Sequence, residues 1–172
     1  MAAMTQVHSF APISADDAQV LILGSMPGKA SLKANQYYGH PRNAFWKIIG
    51  QLLGFDSRSC YTDRLEILTV NRFALWDVLK TCTRESSLDS DIVESSIVPN
   101  DFENFFAGHP GISRIYFNGA MAETSYKKHV LPTLSEMSRL SYVRLPSTSP
   151  ANASSTLESK IAAWKCIVPN VR

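Results

Sequence analysis

Apolar residues in this chain gather in short blocks closed by glycine, asparagine or proline, with longer amphipathic stretches between them. "QVLILG" (19–24) is an unbroken apolar run ended by Gly24, which predicts a strand buried on both faces. "NAFWKIIGQLLG" (43–54) spaces Phe45, Trp46, Ile49, Leu52 and Leu53 at helical intervals, with Gly54 as its C-cap. "YTDRLEILTVNRFALWDVL" (61–79) predicts a short helix, then a strand or extended segment near Leu75–Val78 preceded by Asn71. Residues 83–100 are polar and Ser-rich, a predicted surface connection, and Asn100 or Asp101 caps a helix running to about Ala107. "SRIYFNG" (113–119) is a second glycine-closed strand, followed by a helix stopped at Pro132. Residues 140–155 read as a third strand entering a Ser/Pro/Asn loop. A final helix then starts with Thr156 as its cap and Glu158 in its first turn.

Strands alternating with helices predict an α/β fold with a short, mostly parallel sheet covered on both faces. The length of 172 residues suits a single domain, 1–172, with 1–15 as a candidate flexible lead-in. Gly24, Asn71, Gly119 and Pro146 all fall at or near the ends of strand-like runs. Ligands of open α/β sheets bind in the crevice outside the carboxyl ends of strands, so these distant loops are expected to meet at one site.

Composition narrows the chemistry. Apolar residues make up 45% and charged residues 19%, the balance of an ordinary globular protein. A net charge of +2 fits local phosphate contacts and argues against a protein that coats DNA. Cys60, Cys82 and Cys166 form no C-x-x-C pair, and the four histidines lack ligand spacing, so no metal site and no cofactor are expected. Dispersed cysteines suit a reducing cytosol, each as a small core residue. The N-terminus has no signal-peptide pattern, and no apolar run reaches the roughly 20 residues of a membrane span. The expected location is cytoplasmic, with no membrane partner.

The loops carry several ambiguous signals. "GSMPGKAS" (24–31) lacks both the Walker and the G-x-G-x-x-G patterns, and is either a tight turn or a backbone cradle for one phosphate. Tyr37 and Tyr38 either fill the loop or offer a face for a nucleobase. His40 is a loop brace, an acid–base group or a phosphate donor. Asn43 is an N-cap or the holder of a water molecule. Asn71 is a candidate buried amide, whose adjacent acceptor and donor complement the O=C–N–H edge of uracil and hypoxanthine. "LPSTSPANA" (145–153) is an ordinary turn or a phosphate grip of hydroxyls and backbone N–H groups.

Taken in order, these segments resemble the uracil-DNA glycosylase superfamily. "LILGSMPG" is similar to its first motif and "YGHPRNAFWKII" to the "FAHPxNxFW" run of the mismatch-specific branch. "IYFNG" and "LPSTSPANA" resemble the strand and loop of the second motif in the thymine-DNA glycosylase branch. Two departures stand out. Met26 occupies the place of the motif's usual Asp or Asn, and Ser147-Thr148-Ser149 stands where the uracil enzymes carry a catalytic histidine. "GSMPGxxSLxxxQYYxHPxNxFW" is most similar to the family 6 hypoxanthine-DNA (deoxyinosine) glycosylases. The resemblance implies a three-layer α/β/α fold and a monofunctional glycosylase of base excision repair. It would act as a monomer, without cofactor, on double-stranded DNA containing a deaminated base. It further implies Asn43 as the water-handling residue, with Tyr38, Gly24, Ser25, Met26 and Asn71 around the base. Pro27, Gly28, His40, Ser147, Thr148, Ser149 and Asn152 would lie along the DNA, with the residue that enters the vacated stack in 149–153. A mismatch-type uracil glycosylase and a non-catalytic binder of damaged DNA or free nucleotide are the alternatives.

Overall fold

The computed structural model describes residues 4–135 and 137–169. Four strands, β2 (Val20–Gly24), β3 (Phe73–Asp77), β6 (Arg114–Asn118) and β7 (Ser141–Leu145), form an all-parallel sheet in the order β3-β2-β6-β7. A smaller antiparallel sheet joins β1 (Thr5–His8), β4 (Leu79–Arg84) and β5 (Val98–Pro99) in the order β1-β4-β5.

Strands β2, β3 and the middle of β6 are apolar on both faces because both faces are covered, whereas the edge strand β7 is largely exposed. Leu21, Leu23, Ala74, Trp76, Ile115 and Phe117 point into one core, which is closed by helices α4 (Phe102–Gly108) and α5 (Ala120–Ser125). Val20, Ile22, Phe73, Leu75, Tyr116 and Leu145 point into the other. That core is closed by helices α2 (Phe45–Leu53), α3 (Tyr61–Val70) and α6 (Leu157–Trp164). The result is the expected three-layer α/β/α arrangement. A short helix, α1 (Lys29–Ala34), follows the turn after β2. Asp101 and Thr156 cap α4 and α6, accepting the Asn104 and Ser159 N–H groups at 3.1 Å each.

Two local expectations change. Residues 5–15 are not a loose lead-in: β1 pairs with β4, and Ile13 and Leu75 exchange backbone hydrogen bonds of 2.8 Å. "TQVH" carries little pattern of its own and is specified by its partner strand, a long-range contact that local periodicity does not reveal. The polar segment after β4 is the surface connection expected, braced by Val93 N–H donating to Thr83 O at 2.9 Å. Of the cysteines, Cys82 is a core residue, whereas Cys60 and Cys166 are exposed.

Candidate active site

A cavity of about 1100 Å³ opens at the carboxyl ends of the four parallel strands. Its walls are the turn after β2, the Tyr37–Asn43 segment, the loop at 87–90 and the loop after β7, while Asp77 and Asn118 enter from the ends of β3 and β6. The predicted convergence of distant loops is therefore present.

The turn is fixed to the strand beside it. Gly24 pairs in parallel register with Asp77, and the Gly24 and Ser25 carbonyls accept the Val78 and Leu79 N–H groups at 2.8 and 3.1 Å. A Cβ at Gly24 would lie 2.5 Å from Asp77 Oδ1 and 3.0 Å from Tyr38 Oη, so only glycine leaves room for both side chains. Ser25 donates to Asp89 Oδ1 at 2.7 Å. Met26 lines the cavity while its side chain packs into the core beneath. The Pro27 carbonyl accepts a hydrogen bond from Arg84, and the Lys29 N–H donates to Ser87 Oγ at 2.8 Å. With these partners in place the turn holds neighbouring loops together, and Gly28 lies on the cavity wall between them.

Adjacent tyrosines take opposite roles. Tyr37 is buried, donating to the Ala11 carbonyl at 2.8 Å and accepting the Trp46 indole N–H at its own carbonyl at 2.9 Å. Tyr38 adopts the left-handed backbone conformation (φ +54°), and its ring stands on the cavity wall. One face of that ring stacks on Phe45, with centroids 4.0 Å apart. Burial pushes the Tyr38 hydroxyl above its usual range, and its oxygen has no hydrogen-bond partner.

His40 braces its own loop, Nδ1 accepting the Arg42 N–H at 3.0 Å, and also lines the cavity. Asn43 is not the N-cap of α2, a place taken by Ala44, and it braces the turn just before it. Its Oδ1 accepts the Phe45 N–H at 2.9 Å, fixing the entry to α2, and the residue stands on the cavity wall.

Behind the loop after β7 lies an amide clamp. Asn118 Nδ2 donates to Thr148 Oγ1 and Asn118 Oδ1 accepts the Thr148 N–H, both at 2.9 Å. Thr148 is thus corrected from a DNA contact to an anchor: it is only 1% exposed and its hydroxyl is committed. Its carbonyl accepts the Ala44 N–H at 3.0 Å, which ties this loop to Asn43's neighbour. Ser147, Ser149 and Asn152 stay at the cavity. The first two accept backbone N–H groups at 3.2 Å, and Asn152 donates to the Ser147 carbonyl at 3.0 Å.

Asn71 is the clear miss. It sits at the C-terminal end of α3, exposed, with Nδ2 donating to the Ile67 carbonyl at 2.8 Å. It precedes β3, at the end of the sheet opposite the cavity. The side chain that does emerge at the far end of β3 is Asp77, only 4% exposed. Burial and the nearby Asp89 carboxylate raise its pKa to about 7, against the opposing pull of Arg84. Its signal in the sequence is a single acid closing an apolar run, "FALWD", which no motif marks. Leu88 and the cations Lys29 and Arg42 also stand on the cavity wall without a motif to announce them. Leu88 is 48% exposed, whereas Ser149, Pro150, Ala151 and Asn152 on the same cavity are all smaller side chains.

Comparison with known proteins agrees with this fold. The family model of the Uracil DNA glycosylase superfamily matches residues 11–167. A protein of Methanosarcina barkeri named Hypoxanthine DNA glycosylase is 40% identical over 113 residues, 65% of this chain and 70% of that protein. One of the same name from Methanosarcina acetivorans is 36% identical over 141 residues, covering 77% and 88%. A solution NMR structure of a candidate uracil DNA glycosylase from Methanosarcina acetivorans superposes with a TM-score of 0.76 at 32% identity. It covers 95% of this chain and 99% of that one. No helix among the described residues is long and apolar enough to cross a membrane.

Proposed function

This chain belongs to the uracil DNA glycosylase superfamily, and we propose that it is a hypoxanthine-DNA glycosylase, hydrolysing the N-glycosidic bond of deoxyinosine in double-stranded DNA. The observation that carries this is the meeting of Tyr38 and Asn43 on one cavity at the strand ends, in a chain with two relatives of that name. The protein would act as a cytoplasmic, single-domain monomer.

The chemistry follows from those side chains. The damaged nucleotide leaves the stack at a cost of a few kcal/mol, smallest for a weakly paired base. Stacking on the Tyr38 face turned away from Phe45 returns about 1–3 kcal/mol. Leu88, the large exposed side chain on the cavity rim, fills the gap in the duplex. Lys29 and Arg42, with Gly28, His40, Ser147, Ser149 and Asn152, meet backbone phosphates along the rim.

The C1′–N9 bond then breaks, with its electrons leaving on the purine. Water adds to the cationic sugar carbon, and its proton is released. Asn43 is no strong base, but a sugar already carrying positive charge needs only an oriented water, and the amide supplies that orientation. Met26 at the first motif's third position leaves Asn43 as the polar group that holds the water.

The test is a single-turnover assay with protein in excess over duplexes carrying deoxyinosine opposite thymine or deoxyuridine opposite guanine, developed with alkali. Abasic sites on the inosine strand, with uracil slower, are expected. Faster uracil release would favour the mismatch-type uracil enzyme, and tight lesion binding with no abasic sites a non-catalytic binder.

A further inference from the structure

The proposed glycosylase leaves the carboxyl of Asp77 on the cavity wall unused. It lies at the end of β3 with its backbone held in register against Gly24, and its carbonyl accepts the Asn100 amide at 2.8 Å. Its side chain lines the cavity, is almost wholly buried, and has no hydrogen-bond partner at Oδ2. A buried polar oxygen left unsatisfied carries an uncompensated desolvation cost, and one that lines a binding cavity is placed to be satisfied by a ligand.

The charges around it decide its form. Arg84 from β4 and Asp89 from the adjoining loop face it, as do the hydroxyls of Tyr37 and Tyr38. Arg84 and Asp89 offset one another, and Asp89 is further satisfied by Ser25. The Arg84 Nε and Nη1 groups form no hydrogen bond to Asp77, and its Nη2 donates to the Pro27 carbonyl. A second carboxylate in this pocket would therefore be a buried charge without a partner of its own, which favours protonation.

We propose that Asp77 reads the extruded base as a neutral carboxylic acid, its O–H donating to the purine O6 and its C=O accepting the purine N1–H. This rests on the hypoxanthine reading above. A carboxylic acid carries a donor and an acceptor side by side, as an amide does, and matches the lactam edge of hypoxanthine. An ionised carboxylate offers acceptors only. It would oppose O6 and suit the N1–H and 2-amino donors of guanine, an undamaged base. Neutrality at Asp77 thus matches the lactam edge, which guanine shares, and withholds the paired acceptors that the N1–H and 2-amino donors of guanine would favour.

The experiment compares wild type, Asp77→Asn and Asp77→Ala on duplexes carrying deoxyinosine or 1-methyldeoxyinosine, in which the N1–H is replaced. Both single-turnover release and equilibrium binding are measured, from about pH 5 to about pH 9. Wild type is expected to lose about tenfold or more in binding and release on the methylated base. Its inosine rate should fall as pH rises through the neutral range. Asp77→Asn should stay within about tenfold of the low-pH rate and lose this pH dependence. Asp77→Ala should be impaired on inosine and show no further loss on methylation. An Asp77→Ala protein at full rate, or an equal methylation penalty in wild type and Asp77→Ala, would overturn the assignment. If wild type releases no base at all, the glycosylase reading fails. Binding then still decides Asp77, since equal wild-type affinity for the two duplexes overturns it.

Discussion

Gly24 and Asp77 face each other at the ends of neighbouring parallel strands so closely that a single methyl group on Gly24 would stand 2.5 Å from the Asp77 carboxyl. The absence of a side chain at one residue creates the seat of the other. Gly24→Ala should therefore displace Asp77, lowering the single-turnover inosine rate by about tenfold or more and lowering the melting temperature. Adding Asp77→Ala removes the clashing oxygen, so the double variant should melt higher than Gly24→Ala alone while remaining slow. Thermal unfolding of the two variants checks this, and additive losses of stability would show that the two positions do not collide.

Asp77 also sets a pH dependence of stability. Its value in the folded protein lies near 7, against an ordinary 3.8. Because the folded state holds this proton more tightly than the unfolded chain, its contribution is full below about pH 4 and is lost as pH rises through about 7. Asp77→Asn cannot titrate. Urea midpoints should show wild type weakening relative to Asp77→Asn between about pH 4 and about pH 8, then running parallel above that. Asp89, raised by burial, titrates in both proteins, so the difference reads Asp77 together with its coupling to Asp89. A constant difference across the window would mean that Asp77 is ionised throughout.

The strands and helices legible in the sequence are those whose burial is written locally. "QVLILG" and "RIYFN" are continuous apolar runs, and "FWKIIGQLL" repeats at helical spacing. "EILTVNRFALWD" defeats the same logic because the end of α3 and the start of β3 abut as two short apolar runs. Periodicity does not separate a helix end from a strand over so few residues, so the pattern sets Asn71 at a strand's end whereas it ends a helix. Asp77 is illegible for another reason: its meaning comes from Gly24, 53 positions away along the chain and adjacent in space. Likewise, the pairing of Asn118 with Thr148 is what converts an apparent phosphate hydroxyl into a buried anchor.

Asn43 carries two functions that substitution can separate. Its Oδ1 accepts the Phe45 N–H, a helix-entry bond whose loss costs about 1 kcal/mol, and its amide is the proposed water holder. Asn43→Ser retains an oxygen that can accept the Phe45 N–H but has no amide, whereas Asn43→Ala has neither. Both should release hypoxanthine about 10²-fold more slowly, the loss typical of one preorganised polar group. Only Asn43→Ala should lose stability in denaturant titration. A serine variant at the wild-type rate would remove Asn43 from the chemistry.

Leu88 lines the same cavity as the loop where small side chains crowd, and its exposure has no explanation within the folded protein. The loop that carries it is braced on both sides, by Ser87 accepting the Lys29 N–H and by Asp89 accepting the Ser25 hydroxyl. An apolar side chain held rigidly at a cavity mouth enters a base stack at little cost in its own ordering, and wedges of this kind offset the unstacking of a few kcal/mol. Leu88→Ala should therefore slow release from duplex deoxyinosine by about tenfold or more. It should leave release from single-stranded deoxyinosine nearly unchanged, because no stack has to be held open there. Equal slowing on both substrates would point instead to a contact with the base itself, and no slowing on either would leave the wedge to the loop after β7.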